Sequence, residues 1–161
     1  ATIKNGNSNG KYNVLNLESG ANVTLKLEGM NQFLAATSVS GAAIHVPSGA
    51  SLTIEGGEED SLLARSRSYG AGIGGNSGTI IIKGGNIYAT SGYWEDESMI
   101  PGLHDSGAGI GGGAGGASGT IEIHGGAVLA KSAKAAGIGA GGRSHPPGLF
   151  LRYVRLQHAA L

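Results

Sequence analysis

Two groups of residues in this 161-residue chain have the types and spacing for chemistry on a polar substrate. The first is the run Tyr93-Trp94-Glu95-Asp96-Glu97, followed by His104-Asp105. Tyr93 and Trp94 offer flat faces on which a sugar ring can stack, while Glu95, Asp96 and His104 supply the acids and base of a proton-transfer pair. Of the five histidines, His104 beside Asp105 is the best placed as acid or base. Calcium is the one ion these acids suggest, through oxygen ligands, although they lack the ordered spacing of a calcium loop; no other cofactor is expected. The plain alternative is a solvated surface loop.

The second group depends on strand register. If Leu25/Leu27, Leu52/Ile54, Ile80/Ile82 and Ile121/Ile123 point inward, the residues between them stack into outward columns. These are Thr24, Ser51, Thr79, Thr120; then Lys26, Thr53, Ile81, Glu122; then Glu28, Glu55, Lys83, His124. Glu28 and Glu55 would lie about 5 Å apart, the separation of a retaining glycosidase pair. Lys83, His124 and Glu122, with Tyr88 on a second strand, would contact a glycan running along the face. An exposed sheet face bearing solvating, β-favouring residues would carry the same columns.

Both groups require a particular scaffold, and internal repeats describe it. Ala71-Gly-Ile-Gly74 returns as Ala108-Gly-Ile-Gly111 and Ala136-Gly-Ile-Gly139; Gly78-Thr-Ile-Ile-Ile-Lys-Gly-Gly85 returns as Gly119-Thr-Ile-Glu-Ile-His-Gly-Gly126. Weaker copies at 22–29 and 51–57 make Leu27, Ile54, Ile82 and Ile123 equivalent, 27, 28 and 41 residues apart. The long interval holds the insertion at 93–105. Apolar residues alternate as in strands, a second short strand follows at Ile87–Thr90 and Val128–Lys131, and glycine pairs supply corners. The predicted fold is all-β: a single-stranded right-handed parallel β-helix, a β-solenoid with about 28 residues per coil and a thin core of Ile, Leu, Val and Ala. Gly70-Ala-Gly-Ile-Gly-Gly75 and its copy at 107–112 have dinucleotide-loop spacing, but no helix follows, so they are read as coil corners.

These motifs resemble the glycine-rich right-handed parallel β-helix repeats of bacterial surface and secreted proteins, over about 21–142. The resemblance implies an extracellular or cell-surface module that binds polysaccharide or cell-wall glycan, or serves surface display. It implies as alternatives a polysaccharide-degrading enzyme, either glycoside hydrolase or polysaccharide lyase, and a structural adhesin stalk.

Composition excludes other classes. Thirty-two glycines with four prolines do not make collagen, and 40% apolar residues in patterned clusters argue against disorder. Net charge is zero and charged residues are 14%, so no nucleic acid partner is expected. No apolar run suits membrane insertion, and no signal peptide stands at Ala1, as in a mature or trimmed chain. Without cysteine there is no disulfide or thiolate, the histidine spacing signals no zinc site, and serines at coil turns are expected to satisfy backbone groups. Residues 1–142 form the β-helix domain; 143–161, which lack the repeat, are either a C-terminal cap or foreign sequence. Exposed coil ends offer a route to oligomers.

Overall fold

In Ser51-Leu-Thr-Ile-Glu55 and Thr79-Ile-Ile-Ile82, extended backbone places Leu52, Ile54, Ile80 and Ile82 on one side and Ser51, Thr53, Glu55, Thr79 and Ile81 on the other. The computed structural model describes residues 1–4, 13–35, 41–67, 69–92 and 106–142, and the backbone of 153–157. Among the described residues the chain is all-β, with parallel sheets and no helix.

Strand β1 (Thr2–Lys4) precedes four coils of three strands each. The first holds β2 (Leu15–Asn16), β3 (Asn22–Lys26) and β4 (Met30–Leu34), and the second β5 (Ile44–His45), β6 (Ser51–Glu55) and β7 (Ser61–Ser66). The third holds β8 (Ile73–Gly75), β9 (Thr79–Ile82) and β10 (Asn86–Ser91), and the fourth β11 (Ile110–Gly112), β12 (Thr120–Ile123) and β13 (Ala127–Ser132). Strand β14 (Ile138–Gly139) and strand β15 (Tyr153–Gln157) follow. Each strand of the first three coils pairs in parallel with the strand three later, giving sheet A (β1-β4-β7-β10-β13-β15), sheet B (β14-β11-β8-β5-β2) and sheet C (β12-β9-β6-β3). This is the wall of a solenoid. β15 alone runs antiparallel, covering β13 at the edge of sheet A with Val128 opposite Leu156.

The core is a stack of matched layers. Sheet C contributes Leu52, Ile54, Ile80 and Ile82, sheet A contributes Leu62, Ile87 and Val128, and sheet B contributes Ile44, Ile73 and Ile110, all essentially without solvent exposure. Each such side chain stabilises the fold by roughly 1.5–3 kcal/mol. Val23, Leu25, Ile121 and Ile123 face the same interior from the two end strands of sheet C and are only partly buried.

The register corrects one expectation. Leu25, not Leu27, pairs with Ile54, so β3 sits two residues away from the repeat alignment. Inward and outward faces survive a shift of two, but every outward neighbour changes. Leu27 lies beyond the strand, its N–H donating to Glu55 O at 2.8 Å, and its buried side chain fills the corner that Gly56 leaves empty. The match between Glu28-Gly29 and Glu55-Gly56 was one of composition, whereas the fold matched positions by how the corner is filled.

The Ala-Gly-Ile-Gly runs correct another. They are strands of a third sheet and not corners, with Ile44, Ile73, Ile110 and Ile138 in register. Gly74 and Gly111 adopt φ of 129° and 131°, and a Cβ on either would lie 2.0 Å from the carbonyl oxygen of the equivalent glycine one coil on. Only glycine fits there.

Each complete coil from the second to the fourth is tied shut by a buried serine at the end of its sheet A strand. Ser66, Ser91 and Ser132 donate to the carbonyls of Gly41, Gly70 and Gly107, at 2.9, 2.7 and 2.7 Å, where the same coil begins. These hydroxyls satisfy backbone groups from the ends of strands, whereas the sequence reading looks to serines at turns.

Gly111→Ala should therefore destabilise by more than about 4 kcal/mol, or prevent soluble folding, because backbone must move. Gly20→Ala, where φ is 84° and no atom lies within 4 Å of the new Cβ, should cost only about 1 kcal/mol. Equal costs in urea unfolding would contradict the close stacking of sheet B.

Candidate functional site

Sheet C presents the columns on which paired-carboxylate chemistry depended. Asn22, Ser51, Thr79 and Thr120 form one outward row and Thr24, Thr53, Ile81 and Glu122 the next. Lys26 stands opposite Glu55, so the proposed Glu28–Glu55 pair does not form. Glu28 instead lies on the exposed corner after Leu27. Glu55 receives Lys83 Nζ at 3.1 Å, and His124 Nε2 lies 2.9 Å from Glu122 Oε2 on its own strand. All four side chains are well exposed, and such pairs contribute about 0.2–1 kcal/mol. Glu55 and Glu122 are thus each matched by a basic side chain on the exposed face of sheet C.

A third carboxylate serves the fold. Asp60 Oδ1 accepts from Gly29 N–H and Oδ2 from Gly57 N–H, both at 2.7 Å, so one side chain joins the corners of two successive coils. These two backbone donors hold the Asp60 carboxyl below its usual range. The acidic run Glu58-Glu59-Asp60 reads in sequence as a mere polar turn; the last member is its working part.

The outer face of sheet A is different. Tyr88 is flanked in register by Leu63 on β7 and Leu129 on β13, with Gln32 one strand further. Around them runs a groove of about 590 Å³ whose floor and rim include Met30, Asn86 and Ala127. Lys131 sets its ammonium 5.7 Å from the centre of the Tyr88 ring, and Met30 at the mouth is 71% exposed. The face therefore combines a half-buried aromatic ring, aliphatic neighbours and amide side chains along successive coils. Tyr88 was the single member of this set singled out from sequence. The others had a signal too: Leu63-Ala64, Tyr88-Ala89 and Leu129-Ala130 are the same dipeptide position in three coils, with the alanine inward.

Tyr93, Trp94, Glu95, Asp96 and His104 lie outside the described residues. In sequence they fall between Gly92, which follows β10, and Ser106, which precedes β11. Among the described residues no three histidine, aspartate or glutamate side chains group as metal ligands. Comparison with protein-family models, with curated proteins and with solved structures finds no match to this chain.

Asp60→Asn leaves one oxygen for two N–H donors and should lower Tm at neutral pH. Because folding depresses the Asp60 pKa, its contribution is present above the ordinary aspartate value of about 3.9 and fades as pH falls through the lower folded value. The Tm gap between the two proteins should close over that acid range; a gap independent of pH would mean the carboxylate charge is not what joins the corners.

Proposed function

We propose that this chain is an extracellular carbohydrate-binding β-solenoid module that holds a polysaccharide along the outer face of sheet A. The observation that carries this reading is the position of Tyr88. It stands at the middle of a 590 Å³ groove, between Leu63 and Leu129, with the amide side chains of Gln32 beyond Leu63 and of Asn86 two residues before it on β10. A pyranose ring has an apolar face and an equatorial rim of hydroxyls, so an aromatic platform edged by amides meets both. Because the groove crosses coils, a chain of sugars is a better fit than a single ring. Extracellular placement belongs to the same proposal and rests on the repeat motifs and on the class of ligand.

The winding is proposed to be right-handed, with a nominal coil of 28 residues. Parallel crossovers are right-handed in about 98% of cases. Successive equivalents Leu25, Ile54 and Ile82 are 29 and 28 residues apart, and the step of 41 to Ile123 contains the insertion.

A role as a spacer in surface display rests on a different observation. End strands β3 and β12 of sheet C leave Val23, Leu25, Ile121 and Ile123 only partly covered, as expected where further coils or a second copy would stack. An enzymatic role has no such support among the described residues, where Glu55 and Glu122 are each held by a surface partner.

Affinity electrophoresis through glucans, pectins and xylans provides the test. Tyr88→Ala should weaken retention by the best ligand about tenfold, the loss of roughly 1.4 kcal/mol of stacking. Glu55→Gln should retain the parent mobility. Unchanged migration of the parent protein across the whole panel would remove the glycan reading and leave the spacer.

A further inference from the structure

The outer face of sheet B carries a column of two side chains followed by bare backbone: Asn16, His45, Gly74, Gly111 and Gly139 are in register. Beside His45 lies a recess of about 370 Å³. Asn13, His45, Tyr69 and Asn76 wall it, and the backbone of Gly75 and Gly113 forms part of its floor. Among the described residues no lysine, arginine, aspartate or glutamate lines it. The His45 ring lies across Gly75, where even a Cβ would come within 2.5 Å of its Cδ2, so the glycine is what admits the imidazole.

The hydrogen bonds around His45 have only one consistent direction. Ala42 N–H must donate to Asn13 Oδ1, at 2.7 Å, which turns Asn13 Nδ2 toward Asn16 Oδ1 at 2.8 Å. Glu18 can only accept, so Asn16 Nδ2 donates to its Oε1 at 3.0 Å and Asn16 Oδ1 is left facing His45. That oxygen lies 2.9 Å from His45 Nδ1, and an amide oxygen cannot donate. The proton is therefore on Nδ1, and Nε2 of the neutral ring is an acceptor. Among the described residues no group donates to Nε2. Burial holds the His45 pKa below its ordinary value, partly opposed by Glu18, so the neutral form prevails at pH 7.

We propose that this recess is a binding site for a single neutral sugar ring, whose hydroxyl donates to His45 Nε2 while Tyr69 and Asn76 face its sides. Among the described residues of the lining an anion finds no cationic partner, and a metal finds one imidazole with no second ligand of its kind. A neutral polyol offers what the site lacks, a hydroxyl donor with further hydroxyls for Asn76 and exposed backbone. Asn16, Asn13 and Glu18 are positioning residues that fix the tautomer. The site is separate from the sheet A groove and does not depend on glycan binding there.

The test reads the His45 ring nitrogens by long-range ¹H–¹⁵N NMR in the intact protein. The free protein should show the Nδ1–H tautomer, with Nε2 in the range of an unprotonated nitrogen. Titration with glucose, galactose, mannose, xylose and N-acetylglucosamine should shift Nε2 for at least one sugar, with Kd on the order of 1 mM. The shift should be lost as pH falls through the His45 pKa, since imidazolium cannot accept. Asn16→Ala should mix the tautomers and weaken the same sugar severalfold, and Tyr88→Ala should leave the response unchanged. An Nε2–H tautomer in the free protein, silence to all five sugars, or loss of the response in Tyr88→Ala would each overturn the proposal. A His45 response without polysaccharide retention would count against the sheet A groove alone.

Discussion

Backbones stacked at the strand spacing of about 4.8 Å leave room between coils for hydrogen bonds and little else. Everything in this protein accommodates that distance. Along sheet B the close approach is extreme, with glycine over glycine and the place of a Cβ taken by the next coil's carbonyl oxygen. Along sheets A and C the strands are longer, side chains stand clear of the wall, and the core is filled by isoleucine, leucine and valine in matched rows. The narrow sheet can contribute one large inward residue per coil, which is why Ile44, Ile73, Ile110 and Ile138 recur so regularly.

Closing such a wall needs local fasteners because a thin core cannot hold every corner by burial. The serines at 66, 91 and 132 hold each coil's last sheet A strand to its first residues. Asp60 joins two corners through backbone N–H groups, and Leu27 plugs the corner beside Gly56. Buried hydroxyls spent on carbonyls are not available as nucleophiles, so the same economy that closes the coils removes Ser66, Ser91 and Ser132 from chemistry.

The three outer faces then diverge. Sheet C is flat and charged, with Glu55 and Glu122 matched to Lys83 and His124. Sheet A is apolar and grooved around Tyr88. Beside sheet B, His45, Asn13, Tyr69 and Asn76 stand around a recess with glycine and alanine in its lining. The proposed ligand sites lie on the two concave faces, since a level surface has no place for a ligand to be enclosed.

Much of the scaffold was legible in the residues themselves. Alternation in 51–55, 79–82 and 120–123 specified strands and their inward members, the repeats specified that they stack, and Ile87–Thr90 and Val128–Lys131 marked the second sheet. The third sheet was hidden because its strands are two or three residues long, too short to show a period, and in β8, β11 and β14 every residue but the isoleucine is glycine. The pairing of Glu28 with Glu55 failed for a related reason: parity determines which face a side chain is on, but the partner across the coil depends on how each corner is filled. Leu27 fills one corner and Glu58-Glu59 lengthen the next, and neither effect is visible in a string comparison. The His45 network joins residues 13, 16, 18, 42 and 45 across two coils through hydrogen-bond direction. Sequence by itself determined the architecture, because apolar alternation and glycine recurrence are properties of neighbours in the chain. Only the tertiary structure decided the sites, because register, corner length and bond direction are properties of residues about 29 apart that meet across stacked coils.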